Sequence, residues 1–160
     1  GLFIFPACWF ALMHLRAGGL NLLISVLVLV WAADIGAYFA GKALGHRKLA
    51  PQLSPGKSIE GAIGGWLLVI IVALISTLAI DELNIFSFWL SNYGWLGLLL
   101  ITSTCVAMSI EGDLFESQMK RIAGVKDSSN LLPGHGGILD RIDALLPVLP
   151  VAALMATLFA

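Results

Sequence analysis

Long apolar runs constrain this chain more than any other feature of it. They cover residues 2–13, 20–33, 62–80, 89–110 and 144–160, and a helix needs about 20 residues to cross the hydrocarbon layer of a bilayer. The third, fourth and fifth runs are long enough for that. The second reaches the length only by continuing through Asp34 toward Phe39, and the first is short for a full crossing. Of the 160 residues, 59% are hydrophobic and only 12% charged, whereas roughly a quarter of a soluble domain is charged. The expected fold is all-α: a polytopic integral membrane helix bundle of about five membrane helices, forming one membrane-embedded domain over residues 1–160.

Polar connections fall at residues 14–19, 41–61, 81–88 and 111–143. If every run crosses, the second and fourth share one membrane face. Lys42, Arg47, Lys48 and Lys57 lie in the second and Lys120, Arg121, Lys126 and Arg141 in the fourth, whereas Arg16 is the sole Lys or Arg assigned to the other face. Lys and Arg concentrate in short cytoplasmic loops, so both connections are expected to face the cytoplasm and to build one site, with its halves at residues 34–61 and 111–143. The chain opens at Gly1 inside an apolar run without a charged leader region, which reads as the downstream part of a longer protein rather than a signal peptide. A net charge of −1 with no basic stripe argues against nucleic acid as a partner. Cys8 and Cys105 sit in apolar runs without CxxC spacing and read as core or lipid-facing residues.

The fourth connection is the densest polar block, and so many ionisable groups between membrane segments are expensive without a functional return. Asp113, Ser117, Lys120 and Arg121 are spaced to share one side of a helix continuing out of the fourth run. Carboxylates are the usual protein ligands of Mg²⁺, and Lys and Arg suit phosphate oxygens. The face fits a metal-bound phosphate; a solvated helix with Glu116 and Lys120 paired accounts for the same residues. Downstream, Pro133, Gly134, Gly136 and Gly137 frame a turn around His135 that permits close backbone approach to a ligand, followed by Asp140, Arg141 and Asp143.

The second connection repeats this chemistry. Asp34 and Tyr38 lie one turn apart, and Ser54, Pro55, Gly56, Lys57, Ser58 and Glu60 lead straight into the third run. Backbone amides at such a helix start can hold phosphate, with Lys57 adding charge. The P-loop pattern is not matched, because position 51 is Pro rather than Gly.

Ser117, Lys120, Arg121, Lys126, Asp127, Pro133, His135, Gly136, Gly137, Asp140, Arg141 and Asp143 follow the hallmark of the phosphatidate cytidylyltransferase family, also called CDP-diacylglycerol synthases. Upstream, Asp34, Ala37-Tyr38-Phe39, Lys48-Leu49-Ala50-Pro51 and Ser54-Pro55 with Lys57-Ser58 and Glu60-Gly61 resemble that family's second conserved region. The resemblance covers about residues 30–150 and is to the family's C-terminal catalytic part, its members carrying additional N-terminal membrane helices.

The resemblance implies a nucleotidyltransferase that joins CTP and phosphatidate, giving CDP-diacylglycerol and pyrophosphate, in a bacterial inner membrane. It implies Mg²⁺ as cofactor, one ion or two, with Asp113 and Asp140 as its ligands; spacing by itself would not choose them over Asp127 or Asp143. Lys57, Lys120, Arg121, Lys126 and Arg141 are the implied phosphate contacts. Ser54, Ser58, Glu60, Ser117, His135, Gly136 and Gly137 would line the substrates, and Asp34, Asp127 and Asp143 would support the metal ligands, with Glu60 also open to that role. A homo-oligomer stays open, as do a related CTP-dependent enzyme acting on another lipid, an ion-coupled transporter and a structural protein.

Overall fold

The computed structural model describes residues 2–80, 82–125, 128–129 and 137–158. In chain order the elements are α1 (Ile4–Gly18), α2 (Leu20–Leu44), β1 (Lys48–Ala50), β2 (Ser54–Ser58), α3 (Ile59–Ala79), α4 (Ile85–Ile122), α5 (Leu139–Ile142) and α6 (Leu145–Thr157). Three helices, α2, α3 and α4, are long and apolar enough to cross a membrane. Their outward faces carry Ile24, Trp31, Ile63, Ile71, Ile75, Leu96 and Leu100 exposed. Such a continuous apolar surface is stable only against lipid or protein, and the chain is an integral membrane protein.

Several boundaries depart from the apolar runs. His14, Leu15 and Arg16 belong to α1, so the connection to α2 shrinks to Gly19, whose φ of +140° and ψ of 148° make the turn. Helix α2 runs on through Asp34 and Tyr38 to Leu44. The second connection is therefore shorter than its polarity suggested. It also holds a two-stranded antiparallel ribbon, β1 with β2, pairing Lys48 with Ser58 and Ala50 with Ser54. This short ribbon within the helical bundle is not announced by the sequence, since Ser54-Pro55-Gly56-Lys57-Ser58 lacks the apolar alternation of a strand. The C-terminal apolar run forms a helix of 13 described residues. Pro150 lies inside α6, where its missing N–H leaves the Leu146 carbonyl without its helical donor.

Local chemistry sets the helix starts. The Ser58 hydroxyl caps α3 by accepting from the Gly61 N–H at 3.1 Å. Asn84 caps α4, its side chain accepting from Phe86 and Ser87 N–H while the Ser87 hydroxyl accepts from Asn84 N–H. Helix α4 is interrupted at Gly94, where φ is +68° and ψ −175°. Only glycine adopts that backbone readily.

Helices α2 and α3 pack through small residues. A Cβ on Gly36 would lie 2.7 Å from the Gly64 carbonyl oxygen, and one on Gly65 would lie 2.5 Å from that of Ala33. Only glycine permits such backbone approach. Helix α6 packs against α1 and α4. The core at their centre buries Val26, Leu29, Val69, Ile85, Phe86, Trp89, Cys105, Val148 and Ala152 completely.

Candidate active site

The seam between α2 and α3 fixes Asp34 on one helix relative to Ser58 and the ribbon at the start of the other. Ribbon residue Lys57 then reaches α4, its Nζ 2.6 Å from Asp113 Oδ2. This ion pair joins the two polar connections. Around it lies a cavity of about 340 Å³ lined by Asp34, Tyr38, Lys57, Ser58, Ser109 and Asp113, among others. A second, predominantly polar cavity of about 230 Å³ shares Asp34 and Asp113 with the first and adds Glu116, Lys120, Asp140, Arg141 and Asp143. The two cavities adjoin at Asp34 and Asp113 and together make a hollow beside the C-terminal part of α4, polar in its smaller half.

Helix α4 presents Ser109, Asp113, Glu116 and Lys120 to this hollow, at the three- and four-residue intervals of one helical face. Ser117 donates to Asp113 Oδ1 at 3.4 Å. Lys120 Nζ lies 2.8 Å from Glu116 Oε2 and 2.6 Å from Asp140 Oδ1, tying α4 to α5. Asp140 is held further by the Gly137 N–H at 2.6 Å, the Ser128 N–H at 3.0 Å and the Ser128 hydroxyl at 2.9 Å, all donating to Oδ2. Desolvation would raise the proton affinity of Asp140, but Lys120, Gly137, Glu116 and Ser128 outweigh it and hold the carboxyl well below the usual range. Asp143 behaves oppositely. Burial, then the negative charge of Asp113, push its pKa up, against the Ala144 N–H, Glu116 and Lys57.

Among the described candidates, Asp34, Lys57, Ser58, Asp113, Lys120, Asp140, Arg141 and Asp143 come together around the hollow. Gly137 contributes through its bond to Asp140, and Ser117 through Asp113. Glu60 points away from the hollow and braces the ribbon instead. Its oxygens accept from the His46 and Arg47 N–H groups at 3.2 Å, fastening the ribbon's start to α3. Ser54 is half-buried in β2 and Arg121 is exposed on α4, and neither lines the hollow. Lys126, Asp127, Pro133, His135 and Gly136 lie outside the described residues.

Glu116, Ser109 and Ser128 were not singled out by sequence as site residues. For Ser109 the signal is its place one helical turn before Asp113, on the same helical face. For Glu116 the pairing with Lys120 is legible, but its burial is not.

The donor set fits a hard divalent cation. Asp34, Asp113, Glu116, Asp140 and Asp143 offer only carboxylate oxygens to the smaller cavity, and Mg²⁺ characteristically takes one or two carboxylates with waters and substrate phosphates completing its shell. Among the described residues, no group of three or more such side chains forms a ready-made cage.

The cytidylyltransferase family model matches residues 1–159. The phosphatidate cytidylyltransferase of Pseudomonas aeruginosa is 51% identical over 155 residues, covering 96% of this chain and 54% of that protein. That of Haemophilus influenzae is 49% identical over 137 residues, 82% of this chain and 44% of the relative. The Bacillus subtilis protein of the same name is 44% identical over 141 residues, 88% and 49%. The chain thus spans about half the length of the curated relatives it matches. With both polar connections meeting inside the matched region, the chain belongs to the cytidylyltransferase family.

Proposed function

We propose that this chain carries the catalytic part of a phosphatidate cytidylyltransferase, transferring CMP from CTP to phosphatidate with release of pyrophosphate. The Lys57–Asp113 contact carries the reading, because it joins two distant polar segments into one hollow where cations and carboxylates alternate. A phosphate oxygen of phosphatidate attacks the α-phosphorus of CTP, a P–O bond forms, and the α–β bridging bond breaks. The attacking oxygen is already anionic near neutral pH, so no strong base is required. The obstacle is bringing two polyanions together.

Lys57, Lys120 and Arg141 line the hollow and would gather phosphate oxygens. Asp113 and Asp140 would hold Mg²⁺, which when bound supplies charge neutralisation and alignment of the phosphates. Asp140, fixed by four donors from Lys120, Ser128 and Gly137, is preorganised for that role. Lys126, Arg121, Ser54 and His135 are retained as phosphate or substrate contacts on the family motif alone.

An apolar groove of about 560 Å³ adjoins the polar hollow and shares Glu116 and Asp143 with it, while Ile4, Phe5, Leu114, Phe115 and Pro147 form part of its walls. A lipid phosphate at this boundary can enter the hollow while its chains stay in apolar surroundings. The segregation of Lys and Arg supports a site facing the cytoplasm, in a bacterial inner membrane.

The test is formation of CDP-diacylglycerol and pyrophosphate from CTP and phosphatidate by the full-length protein in membranes, with and without a chelator of divalent cations. Chelator-sensitive turnover is expected. A folded, inserted protein that yields no product sinks the reading, and product formed from another lipid in preference to phosphatidate reassigns the acceptor.

A further inference from the structure

Glu116 has a place in the site that the family motif does not give it. It is 7% exposed, and it lines both the polar cavity and the apolar groove, so the residue forms part of the wall between them. Oε2 contacts Lys120 Nζ at 2.8 Å, while Oε1 is buried and accepts no hydrogen bond from any described residue. Asp140 and Asp143 lie near enough to act on it electrostatically. A solvated i, i+4 pair would keep both oxygens in water. Burying a carboxylate with one oxygen unmatched, beside two further acids, is unfavourable for stability.

The two carboxylates that grip Lys120 are unequally dependent on it. Asp140 keeps the Ser128 N–H, Ser128 hydroxyl and Gly137 N–H when Lys120 leaves. Glu116 has Lys120 as its donor among the described residues. Lysine's ammonium is a point charge on a flexible stem, and among the described residues Glu116 is its partner on α4 once it lets go of Asp140.

We propose that Glu116 is a positioning residue, retaining the Lys120 ammonium at the junction of hollow and groove while that ammonium exchanges Asp140 for a substrate phosphate. This rests on the transferase reading above. In this role Glu116 acts through Lys120.

The test uses the full-length protein in membranes, with unmutated turnover of CTP and phosphatidate measured alongside. Glu116→Gln should lower kcat about 10-fold and Glu116→Ala about 100-fold, with KM for CTP changed less than about 2-fold. In a Lys120→Met background, adding Glu116→Gln should cost less than about 2-fold more, because its partner is already gone. Should Glu116→Ala fail to accumulate, the isosteric Gln variant carries the test. Unchanged kcat in Glu116→Gln, or a full additional loss on top of Lys120→Met, overturns the proposal while leaving the transferase reading intact. Absence of unmutated turnover removes both.

Discussion

Lys57 of the ribbon and Asp113 of α4 meet at 2.6 Å, across the boundary between the two polar connections. Both side chains keep substantial exposure, 25% and 37%, so the pair is only lightly desolvated. Partly solvated ion pairs hold a fold together weakly. The contact matters for which charges face one another in the hollow: Lys57 offsets a cluster in which Asp34 and Asp143 also stand close to Asp113.

Lys57→Met should therefore separate activity from stability. Unfolding in detergent should shift by less than about 1 kcal/mol. Turnover should fall about 100-fold, the scale on which a preorganised charge acts on a phosphoryl transition state. A steady-state assay on the same preparation used for the unfolding scan checks both.

Asp140→Asn should abolish CMP transfer while the protein still inserts. The wild-type carboxyl is held below its ordinary range, so whatever stability it contributes is complete above the unfolded carboxylate pKa of about 3.9 and disappears as pH falls through the lowered folded value. The difference in melting temperature between wild type and variant should be flat from neutrality down to about pH 5 and close only in stronger acid. Thermal scans across that range measure it.

Asp143 has the opposite sign. Its raised folded pKa means that the folded state binds more protons than the unfolded chain between about pH 3.9 and that raised value, so stability declines as pH rises through the window. Asp143→Asn removes the decline. Its melting temperature relative to wild type should climb across this window and stay higher at neutral pH, in metal-free buffer.

Gly65→Leu tests the seam. A side chain there meets the Ala33 carbonyl oxygen, a backbone atom that moves only if α2 moves. The variant should lose about 1–3 kcal/mol in unfolding experiments. Gly65 also lines the larger cavity, so turnover should fall as well.

Much of this arrangement could be read from residue spacing, where the physics is local. Apolar length gave α2, α3 and the membrane part of α4, and three- and four-residue intervals placed Asp113 and Lys120 on one face. The ribbon escaped because its strands are short and polar, held by pairing with each other and by Glu60 fastening His46 and Arg47. The end of α1 escaped because His14 and Arg16 look like a loop, although an amphipathic final turn tolerates both. Which cation meets which acid was not legible either: Lys57 to Asp113 and Lys120 to Asp140 depend on where helices cross. Gly94, one glycine among 17, carried no local mark of the break it makes in α4.

The close approach of Gly36, Gly64 and Gly65 has a mechanical corollary. At these glycines backbone lies against backbone, which holds α2 and α3 in close register, and Glu60 latches the ribbon to the same unit. Asp34, Lys57 and Ser58 thus ride on one stiff jaw, and Asp113, Glu116 and Lys120 on the opposing one. The Lys57–Asp113 ion pair is the point at which the two are joined, so it sets the spacing between the charges that each carries into the hollow.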